Sequence, residues 1–129
     1  MLAMGINTEI SNIPSVCVLD ADPAVRDSLE TLIALNGMAV QGYASGREFL
    51  KACETLKPLC ILCEAELPDM SGIELKVLLG LRNIHVPFAL LVSGNRVRVF
   101  RLAADAGIKD IYRKPLVNTP ELIKFVCSQ

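Results

Sequence analysis

Five short apolar runs, each followed by a stretch with helical spacing, constrain this chain more than any other feature. The runs are Ser15–Asp20 (SVCVLD), Met38–Tyr43, Leu59–Cys63 (LCILC), Phe88–Val92 (FALLV) and Lys109–Arg113. Runs this short and this apolar suit strands buried on both faces of a parallel sheet. Between and after them, apolar residues recur at helical spacing. They are Val25, Leu29, Leu32 and Ile33; then Phe49, Leu50, Cys53 and Leu56; Leu75, Leu78 and Leu79; Val97, Phe100 and Ala104; and Leu122, Ile123 and Val126. The order βαβαβαβαβα, with no repeat and no internal linker, predicts an α/β fold of (βα)5 type. Its parallel sheet would be covered by helices on both faces. Right-handed crossovers then narrow the topology to a doubly wound sandwich.

Local punctuation supports these elements. Asp22-Pro23 reads as an N-cap followed by proline at the first helical position, opening a helix that runs to about Asn36. Ser45 with Glu48 and Ser71 with Glu74 have the S-x-x-E spacing of a capping box. Gly37 and Gly107 stand where helices end. The third helix is expected over about 72–82 and the fourth over about 96–106. Asn118-Thr119-Pro120-Glu121 reads as the start of the last helix. Met1–Pro14 is polar and unpatterned, an expected loose leader ahead of a domain spanning 15–129.

Composition narrows the function classes. A chain of 129 residues, 52 % of them hydrophobic, suits one domain with a real core. A formal net charge of −1 gives no electrostatic case for contact with nucleic acid or with a membrane surface. No apolar run approaches the roughly 18 residues of a membrane span, and the N-terminus lacks a signal-peptide pattern, so a cytoplasmic setting is expected. The five cysteines, at 17, 53, 60, 63 and 127, read as small hydrophobes kept reduced. Cys60 and Cys63 have C-x-x-C spacing, which leaves a thiol-redox switch as an alternative. Inside a strand, however, residues i and i+3 point to opposite faces. No Gly-rich phosphate loop, nucleophile elbow or zinc spacing is present.

The stretch Leu59–Gly72 (LCILCEAELPDMSG) carries the functional question. Its apolar run stops at an acid, Glu64, and carboxyl ends of parallel strands are where open α/β sheets place ligand sites. The same edge collects Asp20, Ala21, Asp22, Glu66, Ser93 and Lys114.

This set resembles the receiver domain of bacterial two-component response regulators. The resemblance runs from about Ser15 to the C-terminus. Its strongest matches are Leu67–Gly72 (LPDMSG) and Tyr112–Leu116 (YRKPL). Asp22–Thr31 also resembles the first helix of receivers that precede helix-turn-helix DNA-binding domains. The resemblance implies a five-stranded sheet of flavodoxin-like order 2-1-3-4-5. It also implies a pocket at Asp20, Ala21, Glu66, Ser93 and Lys114 around a phospho-acceptor position at Glu64. In that family the acceptor is Asp, two acids after the first strand help hold Mg²⁺, and an aromatic switch sits in the fifth strand. Here those places hold Glu64, Asp20 with Ala21, and Ile111; Tyr112 is one residue off and should face the other way.

The expectation is an atypical receiver without the acceptor Asp, not an enzyme. It would be a phosphorylation-independent interaction module with no cofactor, and Mg²⁺ at Asp20 and Glu64 would be weak or absent. Glu64 could act as a partial mimic of the phosphorylated state, bonded to Lys114 or Ser93, or Glu64, Asp20 and Lys114 could be a residual polar cluster. A working phospho-accepting receiver is the alternative. The expected partners are a second copy in a weak homodimer and an effector domain of a transcriptional regulator. The dimer surface would carry Arg98, Arg101, Asp105, Lys109, Asp110 and Tyr112, and the domain itself would touch no nucleic acid.

Overall fold

A computed structural model describes residues 13–94, 97–114 and 119–129. The elements are β1 (Ser15–Leu19), α1 (Pro23–Leu35), β2 (Val40–Tyr43), α2 (Gly46–Ala52), β3 (Pro58–Glu64), α3 (Gly72–Leu81), β4 (Phe88–Ser93), α4 (Val97–Asp105), β5 (Asp110–Lys114) and α5 (Thr119–Cys127). All five strands are parallel, in the order β2-β1-β3-β4-β5. This is the doubly wound sheet expected from the alternation. Residues 1–12 of the expected leader, together with Asn95, Arg96 and Pro115–Asn118, lie outside the described residues.

The sheet divides the core in two. One layer joins Cys17, Leu19, Ile61, Cys63, Leu90 and Val92 to Phe49 of α2, Leu75 and Leu79 of α3, and Ala103 of α4. The other joins Val16, Val18, Cys60, Leu62, Ala89 and Leu91 to Leu29 and Ile33 of α1 and Leu122, Phe125 and Val126 of α5. Alternate residues of β1, β3 and β4 enter opposite layers, which is why these runs are apolar throughout.

The caps behave as their chemistry requires. Asp22 accepts from the Ala24 N–H at 2.9 Å, Ser45 from Glu48 N–H at 3.2 Å, and Ser71 from Glu74 N–H at 3.0 Å. The Glu48 carboxylate reaches back to the Ala44 N–H rather than to Ser45.

Three helix faces differ from expectation; in α5, Phe125 is buried with Leu122 and Val126, while Ile123 is only half-buried. In α4 the buried side is Ala103 with the half-buried Val99 and Phe100, while Val97 is 69 % exposed and Ala104 is exposed. Val99 and Ala103 are four apart and lie one above the other, so the stripe Val99-Phe100-Ala103 displaces Val97-Phe100-Ala104. In α3, Leu78 is at the boundary at 37 % exposed; Leu75 and Leu79 alone are fully inward. Strand bounds moved slightly: β2 starts at Val40 and β5 runs one residue later than expected.

Candidate functional site

The register of the sheet brings four strand ends together. Ser93 pairs with Lys114, Glu64 with Leu91, and Leu19 with Cys63, so Asp20, the residue after β1, stands beside Glu64. With Ala21, Asp22, Val25, Glu66, Leu67 and Pro68 they line an open cleft of about 450 Å³. All six pocket positions expected from the sequence, Glu64 included, therefore fall at one place.

Its floor is a buried ion pair. Asp20 is 0 % exposed. Its Oδ1 accepts from the Asp22 N–H at 2.9 Å, and its Oδ2 lies 2.5 Å from Lys114 Nζ. Arg26 Nη1 donates to the Asp20 carbonyl at 2.7 Å, and the Asp20 N–H donates to the Tyr43 carbonyl at 3.0 Å. Every polar group of Asp20 is thus satisfied, as burial of a carboxylate demands.

Glu64 Oε1 lies 3.5 Å from the same ammonium. Burial, then the charge of Asp20, pushes the Glu64 carboxyl above the ordinary carboxylate range, while Lys114 pulls it down. So the longer acid turns toward β1 and Lys114. Ser93 is exposed and makes no side-chain hydrogen bond among the described residues, so of the two partners considered for Glu64 it is Lys114 that stands beside it. Asp22, exposed, spends an oxygen on capping α1. Among the described residues no group of three or more His, Cys, Asp and Glu is placed to hold a metal.

The loop between β3 and α3 is clamped from both sides. Asp69 Oδ1 and Oδ2 accept from the Gly46 and Arg47 N–H groups at 3.0 and 2.8 Å, so this loop caps α2. Burial alone would raise the Asp69 carboxyl slightly, but the Arg47 and Gly46 N–H groups hold it below its usual range. Sequence reasoning missed this role, because the capped helix lies more than twenty residues earlier and leaves no local signal. On the other side, the Gly72 N–H donates to the Ala65 carbonyl at 2.8 Å. A Cβ on Gly72 would lie 2.7 Å from Leu90 Cδ1 and 2.8 Å from the Glu64 carbonyl oxygen. Backbone cannot yield as a side chain can, so Gly72→Ala should cost roughly 1–3 kcal/mol. Urea unfolding of that variant checks this; an unchanged midpoint would contradict the close approach.

The remaining sequence candidates fall elsewhere. Ile111 packs on the layer shared with α4, whereas Tyr112 packs on the opposite layer, with its ring 6.3 Å from that of Phe125. Tyr112 therefore faces away from the switch position, and much of its apolar surface is used inside the fold. Arg98, Arg101 and Asp105 of α4 and Lys109 are exposed, and Asp110 is half-buried. The Arg113 guanidinium lies 5.1 Å from the centre of the Phe100 ring, a cation–π contact that ties β5 to α4. Cys60 and Cys63, both 0 % exposed, sit in different core layers. Side chains pointing apart cannot be bridged without backbone movement. Burial also pushes the Cys60 thiol up to about 12 and raises that of Cys63 further. This geometry opposes the thiol-redox alternative, since the thiolate is the reactive form.

Comparison with known proteins accords with this arrangement. A family model described as the response regulator receiver domain matches residues 16–126. The transcriptional regulatory protein FixJ of Rhizobium meliloti (strain 1021) is 30 % identical over 105 residues, covering 81 % of this chain and 52 % of that protein. FixJ of Azorhizobium caulinodans is 34 % identical over 100 residues, covering 78 % and 47 %. The chain spans about half the length of these curated relatives. The crystal structure of FixJ-N matches with a TM-score of 0.79 at 29 % identity, over 89 % of this chain and 91 % of that one.

Proposed function

The chain belongs to the response regulator receiver domain family, and from that premise we propose that it is a phosphorylation-independent member, a signalling module that works by contact rather than by turnover. The observation that carries this reading is Glu64. It occupies the phospho-acceptor position implied by the resemblance, and its carboxylate lies 3.5 Å from the Lys114 ammonium, beside the end of β1. One extra methylene displaces a nucleophilic oxygen by about 1 Å, and a misplacement of that size can cost ~10²-fold in a positioned reaction. The second strand-end acid is also missing, with Ala21 in its place.

The test is incubation with small-molecule phosphodonors and Mg²⁺, followed by intact-mass measurement. No adduct is expected. A stoichiometric, hydroxylamine-sensitive phosphoryl adduct would favour the ordinary phospho-accepting alternative and overturn this reading.

The output is proposed to be transcriptional, through an effector domain. This rests on the relatives, which are named transcriptional regulatory proteins and are about twice the matched length. No described helix is long and apolar enough to cross a membrane.

We further propose self-association through the face of α4 and β5. Arg98, Arg101, Asp105 and Lys109 give that face charges of both signs, as a two-fold contact requires. With Tyr112 turned toward α5, the apolar contribution falls to Val97 and Leu102, which are 69 % and 45 % exposed. Exposed ion pairs contribute only ~0–1 kcal/mol each, so the expected product is a weak dimer that salt dissociates. Sedimentation at low and high salt, with Arg101→Glu beside the native chain, checks this. A strict monomer, or a dimer indifferent to salt and charge reversal, contradicts it.

A further inference from the structure

The family implies a Mg²⁺ site among these strand-end acids, and the donor set does not fit one. Mg²⁺ demands near-octahedral oxygen ligands at about 2.0–2.1 Å and is reluctant to shed its waters. Asp20 is the deepest acid, and each of its oxygens already has a partner, the Asp22 N–H on one and the Lys114 ammonium on the other. Glu64 Oε1 faces the same ammonium at 3.5 Å. Asp22 caps α1. Ala21, exposed at the mouth of the cleft, brings a methyl group where a carboxylate would complete a cation site. The cleft floor therefore holds two carboxylates and one ammonium, and the ammonium is already in contact with both.

We propose that Lys114 is the resident cation of this cleft, its ammonium standing between Asp20 and Glu64 in place of a divalent ion, so that the native domain is complete without Mg²⁺. The lysine comes from the last residue of β5, and Ser93↔Lys114 pairing holds its backbone in register with the sheet. Its side chain is 14 % exposed, against 1 % for Asp20 and 20 % for Glu64. A hydrated divalent ion approaching from solvent meets an ammonium already seated on the deepest carboxylate. Two different changes should therefore open the site: adding a carboxylate at the mouth, or removing the ammonium. The proposal rests on the placement of the cleft within the family, but it is separable from the lack of phosphoryl transfer. A chain that binds Mg²⁺ and takes no phosphoryl group would overturn this inference alone. A phosphorylated chain would overturn the functional reading.

The experiment is thermal unfolding of the full chain in rising MgCl₂, with NaCl controls of matched ionic strength. The native chain, Ala21→Asp and Lys114→Met are compared. Ala21 is exposed, so its replacement keeps the test usable even where Lys114→Met folds poorly. The native midpoint is expected to follow the NaCl control. Ala21→Asp is expected to gain roughly 5 °C at tenfold excess of Mg²⁺ over its dissociation constant. Lys114→Met, where folded, is expected to recover part of its lost midpoint on adding Mg²⁺. A Mg²⁺-specific rise in the native chain overturns the proposal. So does the absence of any Mg²⁺ response in both variants, because then neither the missing acid nor the ammonium is what keeps the ion out.

Discussion

Lys114→Met is expected to lower the unfolding free energy by about 3 kcal/mol, the lower end of the range for breaking one side of a buried ion pair. Methionine retains most of the lysine stem, so the loss is chiefly electrostatic. Asp20, 0 % exposed, would keep the Asp22 N–H but lose its counter-charge, with Glu64 still beside it. The lower end applies because Glu64 and Lys114 are partly open to solvent. The effect should depend on pH with a definite sign. The Glu64 carboxyl is raised by burial and by Asp20, with Lys114 opposing. An acid raised in the folded state adds stability that is present below its unfolded value and lost as pH rises through its folded value. Without Lys114 that elevation grows, so the deficit of the variant should shrink as pH falls through the raised Glu64 value. Urea unfolding between neutral and mildly acidic pH measures both parts. Asp20→Asn added to Lys114→Met should restore most of the loss, since the amide oxygen can still accept from Asp22. A single variant within ~0.5 kcal/mol of the native chain would show that the pair is not what stabilises the cleft floor.

The strand ends were legible because they follow from alternation. Once β1, β3, β4 and β5 are recognised as parallel, Asp20, Glu64, Ser93 and Lys114 must share an edge, with no contact information needed. The opposite facing of Ile111 and Tyr112, and of Cys60 and Cys63, follows from the same period of two. Helical pattern was less decisive in α4, where Val97-Phe100-Ala104 and Val99-Phe100-Ala103 both satisfy helical spacing. Only the sheet surface beneath selects the second. Contacts across the fold had no local trace. Asp69 on the N-terminus of α2 and Arg82 on the Leu50 carbonyl each join segments that spacing cannot relate. The direction of Glu64 was likewise not readable. The Lys114 ammonium, already paired with Asp20, draws the carboxylate to within 3.5 Å, and a carboxylate goes where its donors are.

That placement of donors sets the second large effect. Glu64→Asp alone is expected to leave phosphoryl uptake undetectable, whereas Glu64→Asp with Ala21→Asp should raise it by ~10²-fold or more. Shortening the acid withdraws its oxygens by about 1 Å and restores the residue type that the family uses as acceptor. Lys114 and Ser93, held side by side by strand pairing, are already present to receive the phosphoryl oxygens. What the single variant still lacks is charge at the mouth of the cleft. Asp20 remains committed to Lys114 and Asp22, so an incoming phosphoryl group would meet acids with no divalent ion between them. The second carboxylate at position 21 supplies that missing donor. Acetyl phosphate with Mg²⁺, read by intact mass and by hydroxylamine lability, distinguishes the variants. Beryllofluoride binding under the same conditions gives an independent readout of pocket geometry. Full uptake by Glu64→Asp alone would mean that Ala21 is not limiting and that acid length is the whole defect. A silent double variant that nevertheless binds Mg²⁺ would move the defect to the far side of the cleft, where Ser93 stands without a hydrogen-bond partner among the described residues.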